Sequence, residues 1–158
     1  MVDWEAELAL VIGTETRHAS AAEASAAIAG YCILNDLTAR DWQRRTSQFL
    51  AGKTFEGLTP VGPELVSADE VGDGRGLAIG CEVAGEVKQA GNTSELVFGP
   101  VDLVQDLSKT ITLEVGDIIA TGTPGGVGFA RDPQEFLRPG SVVRTTIQGL
   151  GELRNTCR

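Results

Sequence analysis

Along Asp3-Trp4-Glu5-Ala6-Glu7-Leu8-Ala9-Leu10-Val11-Ile12-Gly13, an apolar, strand-like run opens with two carboxylates two residues apart. Side chains alternate across a strand, so Glu5 and Glu7 share one face while Trp4, Ala6 and Leu8 share the other. Two like charges about 7 Å apart on a half-buried surface repel each other. Burial raises the cost of keeping both ionised unless a cation sits between them. The run therefore predicts a strand packed on one side and bearing a candidate metal-binding pair on the other. Taken alone, the pair also fits a solvated strand face.

Further along, Ser20-Ala21-Ala22-Glu23 has the form of a capping box, and the alanine-rich run behind it predicts a short helix that Gly30 would end. Tyr31-Cys32-Ile33-Leu34-Asn35 predicts a buried strand that delivers Asp36 at its far end. Thr38 to Arg45 is polar and reads as a short helix or loop. Two strand-like runs between Leu77 and Gln89 flank Ala84-Gly85, a hairpin signal, and Pro100 fits the first turn of a helix whose apolar face is Val101, Leu103, Val104 and Leu107. Ile118 to Thr121 predicts another short strand. Ser141 to Gln148 and Glu152 to Cys157 predict a closing hairpin around Gly149 and Gly151. Strands outnumber helices without alternating regularly, which predicts a mixed α+β fold rather than a doubly wound sheet.

With 158 residues, 42% of them hydrophobic, the chain suffices for one domain with its own core. Thirteen basic against 22 acidic residues give a net charge of -9, which argues against nucleic acid or an anionic membrane as partner. Cys32, Cys81 and Cys157 are odd in number and lack short metal-type spacing, so neither a disulfide framework nor a zinc knuckle is expected, and a reducing cytoplasm fits. No run approaches the roughly 18 apolar residues of a membrane-spanning helix. The N-terminus lacks a basic region followed by an apolar core, so no secretory leader is expected.

Four segments in order, Glu5-Ala6-Glu7, Asn35-Asp36-Leu37-Thr38-Ala39-Arg40-Asp41-Trp42-Gln43, Gly52-Lys53-Thr54-Phe55 and Thr121-Gly122-Thr123-Pro124-Gly125-Gly126-Val127-Gly128, together resemble the fumarylacetoacetate hydrolase family. The resemblance runs from Asp3 to Asn155. It implies an α+β catalytic domain over residues 1–158, a mixed β-sandwich or barrel-like fold with few short helices. It also implies a divalent cation, Mg2+ or Mn2+ (or Ca2+), held by Glu5, Glu7 and Asp36. An all-oxygen donor set without His or Cys selects such hard ions.

By the same resemblance, Arg40 and Gln43 would contact substrate oxygens, Lys53 would stabilise developing negative charge as the catalytic cation, and Thr123 would bind the carboxylate of a small-molecule 2-oxo acid. The expected chemistry is carbon-carbon cleavage of acylpyruvate- or fumarylacetoacetate-type substrates through an enolate held by metal and lysine, as in aromatic catabolism. Oxaloacetate decarboxylation and dienedioate isomerisation share that enolate. A homodimer is the assembly implied.

Family hydrolases carry a further N-terminal lid segment, with a His and a Glu that activate water, ahead of the Glu-x-Glu strand; here Met1 lies two residues before Asp3. The one histidine, His18, falls in the loop leading to the first helix and reads as a surface residue. Without a general base, hydrolysis loses a contribution of about 10²–10⁴ in rate, whereas decarboxylation depends mainly on the electron sink. A catalytically silent metal- and dicarboxylate-binding or scaffold subunit is the rival expectation. Gly122 to Gly128 lacks the lysine and hydroxyl of a nucleotide-binding P-loop. Plainer roles also fit single residues: a surface ion pair for Arg40 with Asp41, an exposed helix face for Gln43, a loop position for Lys53, and a turn-capping hydroxyl for Thr123.

Overall fold

The computed structural model describes residues 1–158. Two four-stranded antiparallel sheets and one two-stranded sheet carry the fold. The first large sheet runs β5 (Val61–Ser67), β3 (Ile28–Asn35), β2 (Ala6–Ile12), β8 (Ile118–Ala120); the second runs β10 (Gly151–Thr156), β9 (Val142–Ile147), β6 (Ala78–Val83), β7 (Glu86–Asn92). A short pair joins β1 (Val2–Asp3) to β4 (Thr38–Ala39). Five helices, α1 (Ala21–Ala27), α2 (Arg40–Gln43), α3 (Leu50–Lys53), α4 (Ala68–Val71) and α5 (Pro100–Ser108), are all short. The expected α+β class is the one adopted.

Alternation along β2 places the core. Trp4, Ala6, Leu8, Leu10 and Ile12 are buried together with Ile79, Cys81 and Val83 of β6 and Val143 and Ile147 of β9, so the inner faces of the two large sheets share one apolar interior. Each fully buried leucine or isoleucine there contributes roughly 1.5–3 kcal/mol. The opposite face of β2 is polar at Glu7 and becomes apolar beyond it, where Ala9 and Val11 pack with Cys32 and Leu34.

Local signals account for most element ends. Ser20 accepts from the Glu23 amide while the Glu23 carboxylate accepts from the Ser20 amide, closing the capping box of α1. Ala84 and Gly85 both take positive φ, as a two-residue primed hairpin turn between β6 and β7 requires. Pro100 opens α5, where Asp102 accepts from the Gly99 amide. Gly30 corrects the sequence expectation: α1 already ends at Ala27, and Gly30 lies inside β3. A Cβ there would meet the Val66 carbonyl oxygen at 2.1 Å, so the residue is glycine because β5 passes too close for a side chain.

Candidate metal centre

Pairing of β2 with β3 builds the centre. Ala6 and Asn35 are register partners, so Glu5 and Asp36 emerge side by side just past the paired segment. Two hydrogen bonds hold that end: the Glu5 amide donates to Asn35 Oδ1 at 2.9 Å, and the Asp36 amide donates to the Glu5 carbonyl at 2.9 Å. Glu7 follows on the same face as Glu5. Carboxylate oxygens of Glu5, Glu7 and Asp36 all lie within 4.8 Å of one another. Glu5 is 8% exposed and Glu7 4%, which rules out a solvated strand face.

Two cations share this cluster. The Arg40 guanidinium donates to Asp3 Oδ2 from Nε at 2.9 Å and from Nη2 at 2.8 Å, and Nη2 also reaches Glu5 Oε1 at 2.7 Å. Its Nη1 donates to Gln43 Oε1 at 3.1 Å. Lys53 Nζ bridges Glu5 Oε2, at 2.8 Å, and Asp36 Oδ2. Burial pulls the Lys53 ammonium toward neutrality, but its hydrogen bonds to Asp36 and Glu5 outweigh that and hold its pKa above the ordinary lysine value. Lys53 is therefore a fixed positive charge near neutral pH rather than a base.

Four carboxylates, Asp3, Glu5, Glu7 and Asp36, face one guanidinium and one ammonium, so the cluster keeps two uncompensated negative charges when Glu7 is ionised and one when Glu7 holds its proton. The unpaired member is Glu7, which has no ion-pair partner; its Oε2 accepts only from the Gly122 amide, at 2.6 Å. Burial first, then the neighbouring Asp36 and Glu5 charges, push its pKa up to about 7 against the pull of the Gly122 amide and Lys53. A buried carboxyl driven toward its neutral form beside two other carboxylates fits a hard, oxygen-seeking cation, with Glu5, Glu7 and Asp36 as the residues that would hold it.

All seven sequence-designated residues fall in this neighbourhood, by different routes. Arg40 pairs with Asp3 and Glu5 rather than Asp41, which instead meets the N-terminal ammonium at 3.1 Å. Gln43 is buried, not on an exposed helix face, because Gly52 of α3 packs directly on it; a Cβ at Gly52 would sit 2.6 Å from that of Gln43. This contact sets α3, and with it Lys53. Thr123 Oγ1 donates to the Ala6 carbonyl at 2.8 Å, midway between Glu5 and Glu7 along the chain. His18 is exposed, in the loop before α1, as expected.

Three residues outside the designated set matter as much. Asp3 is fully buried and accepts from the Trp4, Gly128 and Phe129 amides as well as from Arg40. Its place two residues before Glu5 repeats the Glu5-to-Glu7 spacing, a signal present in the sequence. Asn35 and Gln89 give no local signal, because their partners are 30 to 110 residues away.

Fold and site together define a class: an α+β protein in which two paired strands bring together a buried acidic cluster able to hold a metal ion. Residues 1–158 match the family model described as fumarylacetoacetate (FAA) hydrolase C-terminal. The chain belongs to that family. It is 47% identical over 156 residues to the oxaloacetate tautomerase FAHD2A, mitochondrial, of Homo sapiens, an alignment covering 98% of this chain and 50% of that protein. A solved fumarylacetoacetate hydrolase from psychrophilic Exiguobacterium antarcticum superposes with a TM-score of 0.96 at 39% identity, covering 99% of this chain and 56% of that one. Fumarylpyruvate hydrolase from Pseudomonas aeruginosa, solved in complex with Mn2+ and pyruvate, superposes with a TM-score of 0.88 at 31% identity, covering 99% and 65%. The chain thus spans about half the length of the curated relative it matches.

Proposed function

We propose that this chain carries the metal-dependent catalytic site of an enzyme that forms enolates from 2-oxo acids, with Glu5, Glu7 and Asp36 binding Mg2+ or Mn2+. The observation that carries the reading is the convergence of three carboxylates from two segments whose negative charge exceeds what Arg40 and the bridging Lys53 compensate. A bound dication would supply Lewis acidity and a template for the keto and carboxylate oxygens. Lys53 supplies a second, fixed positive charge toward a developing enolate oxygen. Arg40, held by Asp3, keeps Gln43 oriented and has an Nη1 donor position left for a substrate oxygen. Thr123 already donates its hydroxyl proton to Ala6, so a substrate carboxylate would meet the amides of Thr123, Gly125 and Gly126 before that hydroxyl, the Gly122 amide being held by Glu7.

Enolate formation is the step that tautomerisation, decarboxylation and carbon-carbon hydrolysis of 2-oxo acids share. Oxaloacetate is the first substrate to test, since the human relative is named for it; acylpyruvates are the second, for the cleavage reaction. The reading extends to a homodimer and, from three free cysteines, to a reducing compartment such as the cytoplasm. No helix is long and apolar enough to cross a membrane. The test is keto-enol conversion of oxaloacetate and pyruvate release from oxaloacetate and acylpyruvates, each with Mg2+, with Mn2+ and with a chelator. Metal-dependent turnover of at least one supports the proposal. Oxalate binding without any turnover replaces the enzyme with a silent dicarboxylate-binding subunit.

A further inference from the structure

Gln89 lies on β7, in the sheet that does not carry the acidic cluster, and is 1% exposed. Its Oε1 accepts from the Ala6 amide at 2.9 Å. Its Nε2 donates to Thr123 Oγ1 at 2.8 Å and to the Pro124 carbonyl at 2.8 Å. Thr123 Oγ1 in turn donates to the Ala6 carbonyl at 2.8 Å. These bonds close a ring through Ala6, Gln89 and Thr123 in which both backbone polar groups of Ala6 are satisfied by side chains. The amide orientation is forced, since the reverse would set NH2 against the Ala6 N–H and a carbonyl against the Pro124 oxygen.

Ala6 is the residue between Glu5 and Glu7, and the turn at Thr123 follows Gly122, whose amide holds the Glu7 carboxylate. Close packing reinforces the junction: a Cβ at Gly91 of β7 would meet the Pro124 Cβ at 2.8 Å, and one at Gly126 would meet the Lys88 carbonyl oxygen at 2.2 Å. We infer that Gln89 is a positioning residue, which locks the backbone between the two glutamates to the Thr123–Pro124 turn and so sets both sides of the centre from the opposite sheet. The inference rests on the metal-site reading above for its consequence, though not for its geometry.

Two variants of the full chain test it. Gln89→Met keeps the volume and removes every bond. Gln89→Glu keeps an acceptor for Ala6 and loses the donor to Thr123 and Pro124. By amide hydrogen exchange on metal-free protein, Gln89→Met should accelerate exchange at Ala6 and Gly122 by about tenfold or more while the Thr145 amide of β9 keeps its rate. Gln89→Glu should leave Ala6 protected and release Gly122. The Mn2+ dissociation constant should rise about 10- to 100-fold in both. Unchanged exchange at Ala6 and Gly122, or an Mn2+ affinity within twofold of wild type, overturns the inference. Wild-type protein that binds no Mn2+ overturns the metal-site reading instead, and exchange alone then decides the role of Gln89.

Discussion

Replacing Glu7 by glutamine should stabilise the metal-free protein at alkaline pH, against the usual expectation for altering a buried site residue. Glu7 is 4% exposed, its pKa lies at about 7 against an ordinary 4.5, and no cation pairs with it. At about 1.4 kcal/mol per pH unit, the ionised folded state carries a penalty of roughly 3 kcal/mol. Because the folded-state value is raised, the folded protein retains a proton that the unfolded chain loses between pH 4.5 and about 7. Stability therefore falls as pH rises through that window and levels off above it. Glutamine still accepts from the Gly122 amide and carries no charge. The variant should match wild type near pH 4.5 and exceed it by roughly 3 kcal/mol at pH 8, or roughly 5–10 °C in Tm for a domain of this size. Urea unfolding followed by circular dichroism on chelator-treated protein at both pH values reads the difference. Saturating Mn2+ should reverse the order, since wild type gains more binding free energy. A variant no more stable than wild type at pH 8, or a gain independent of pH, refutes the reasoning.

Other substitutions separate the roles of the neighbours. Arg40→Ala strands the buried Asp3 carboxylate without its guanidinium and should cost about 3–5 kcal/mol in urea unfolding, far more than a surface arginine would. Lys53→Met should leave the fold intact by circular dichroism and lower kcat on the active 2-oxo acid by about 10²–10³, the loss expected when one preorganised charge is removed. Gly52→Ala forces a methyl against Gln43 and should cost about 1–3 kcal/mol in Tm-derived stability. It should slow turnover as well, because α3 carries Lys53, and kinetics at a temperature where the variant is folded would show this.

Much of the fold can be read directly from the chain, because its signals are local. The capping box at Ser20, the Ala84-Gly85 turn, Pro100 at a helix start and the alternation from Trp4 to Ile12 each act within a few residues. Gly30 shows where such reading fails: the same residue type that ends helices also permits a close strand crossing, and only the position of Val66 decides between them. The centre divides the same way. Glu5 and Glu7 declare themselves by spacing, and Asp36 by the strand that precedes it. Gln43 is flanked by arginines that suggest exposure, yet Gly52 buries it. Gln89 sits on an ordinary hairpin strand, and its function depends on contacts 34 and 83 residues away that no pattern near it encodes.

The central claim is that three carboxylates from two segments converge to hold one hard dication. Titration of Mn2+ into the metal-free chain, by calorimetry or by the loss of the free-ion paramagnetic resonance signal, tests it most directly, with Asp36→Asn as the comparison. The account predicts one Mn2+ per chain for wild type and a severe loss of affinity for Asp36→Asn. Wild type that leaves Mn2+ free in solution, or an Asp36→Asn variant that binds as tightly as wild type, would contradict it.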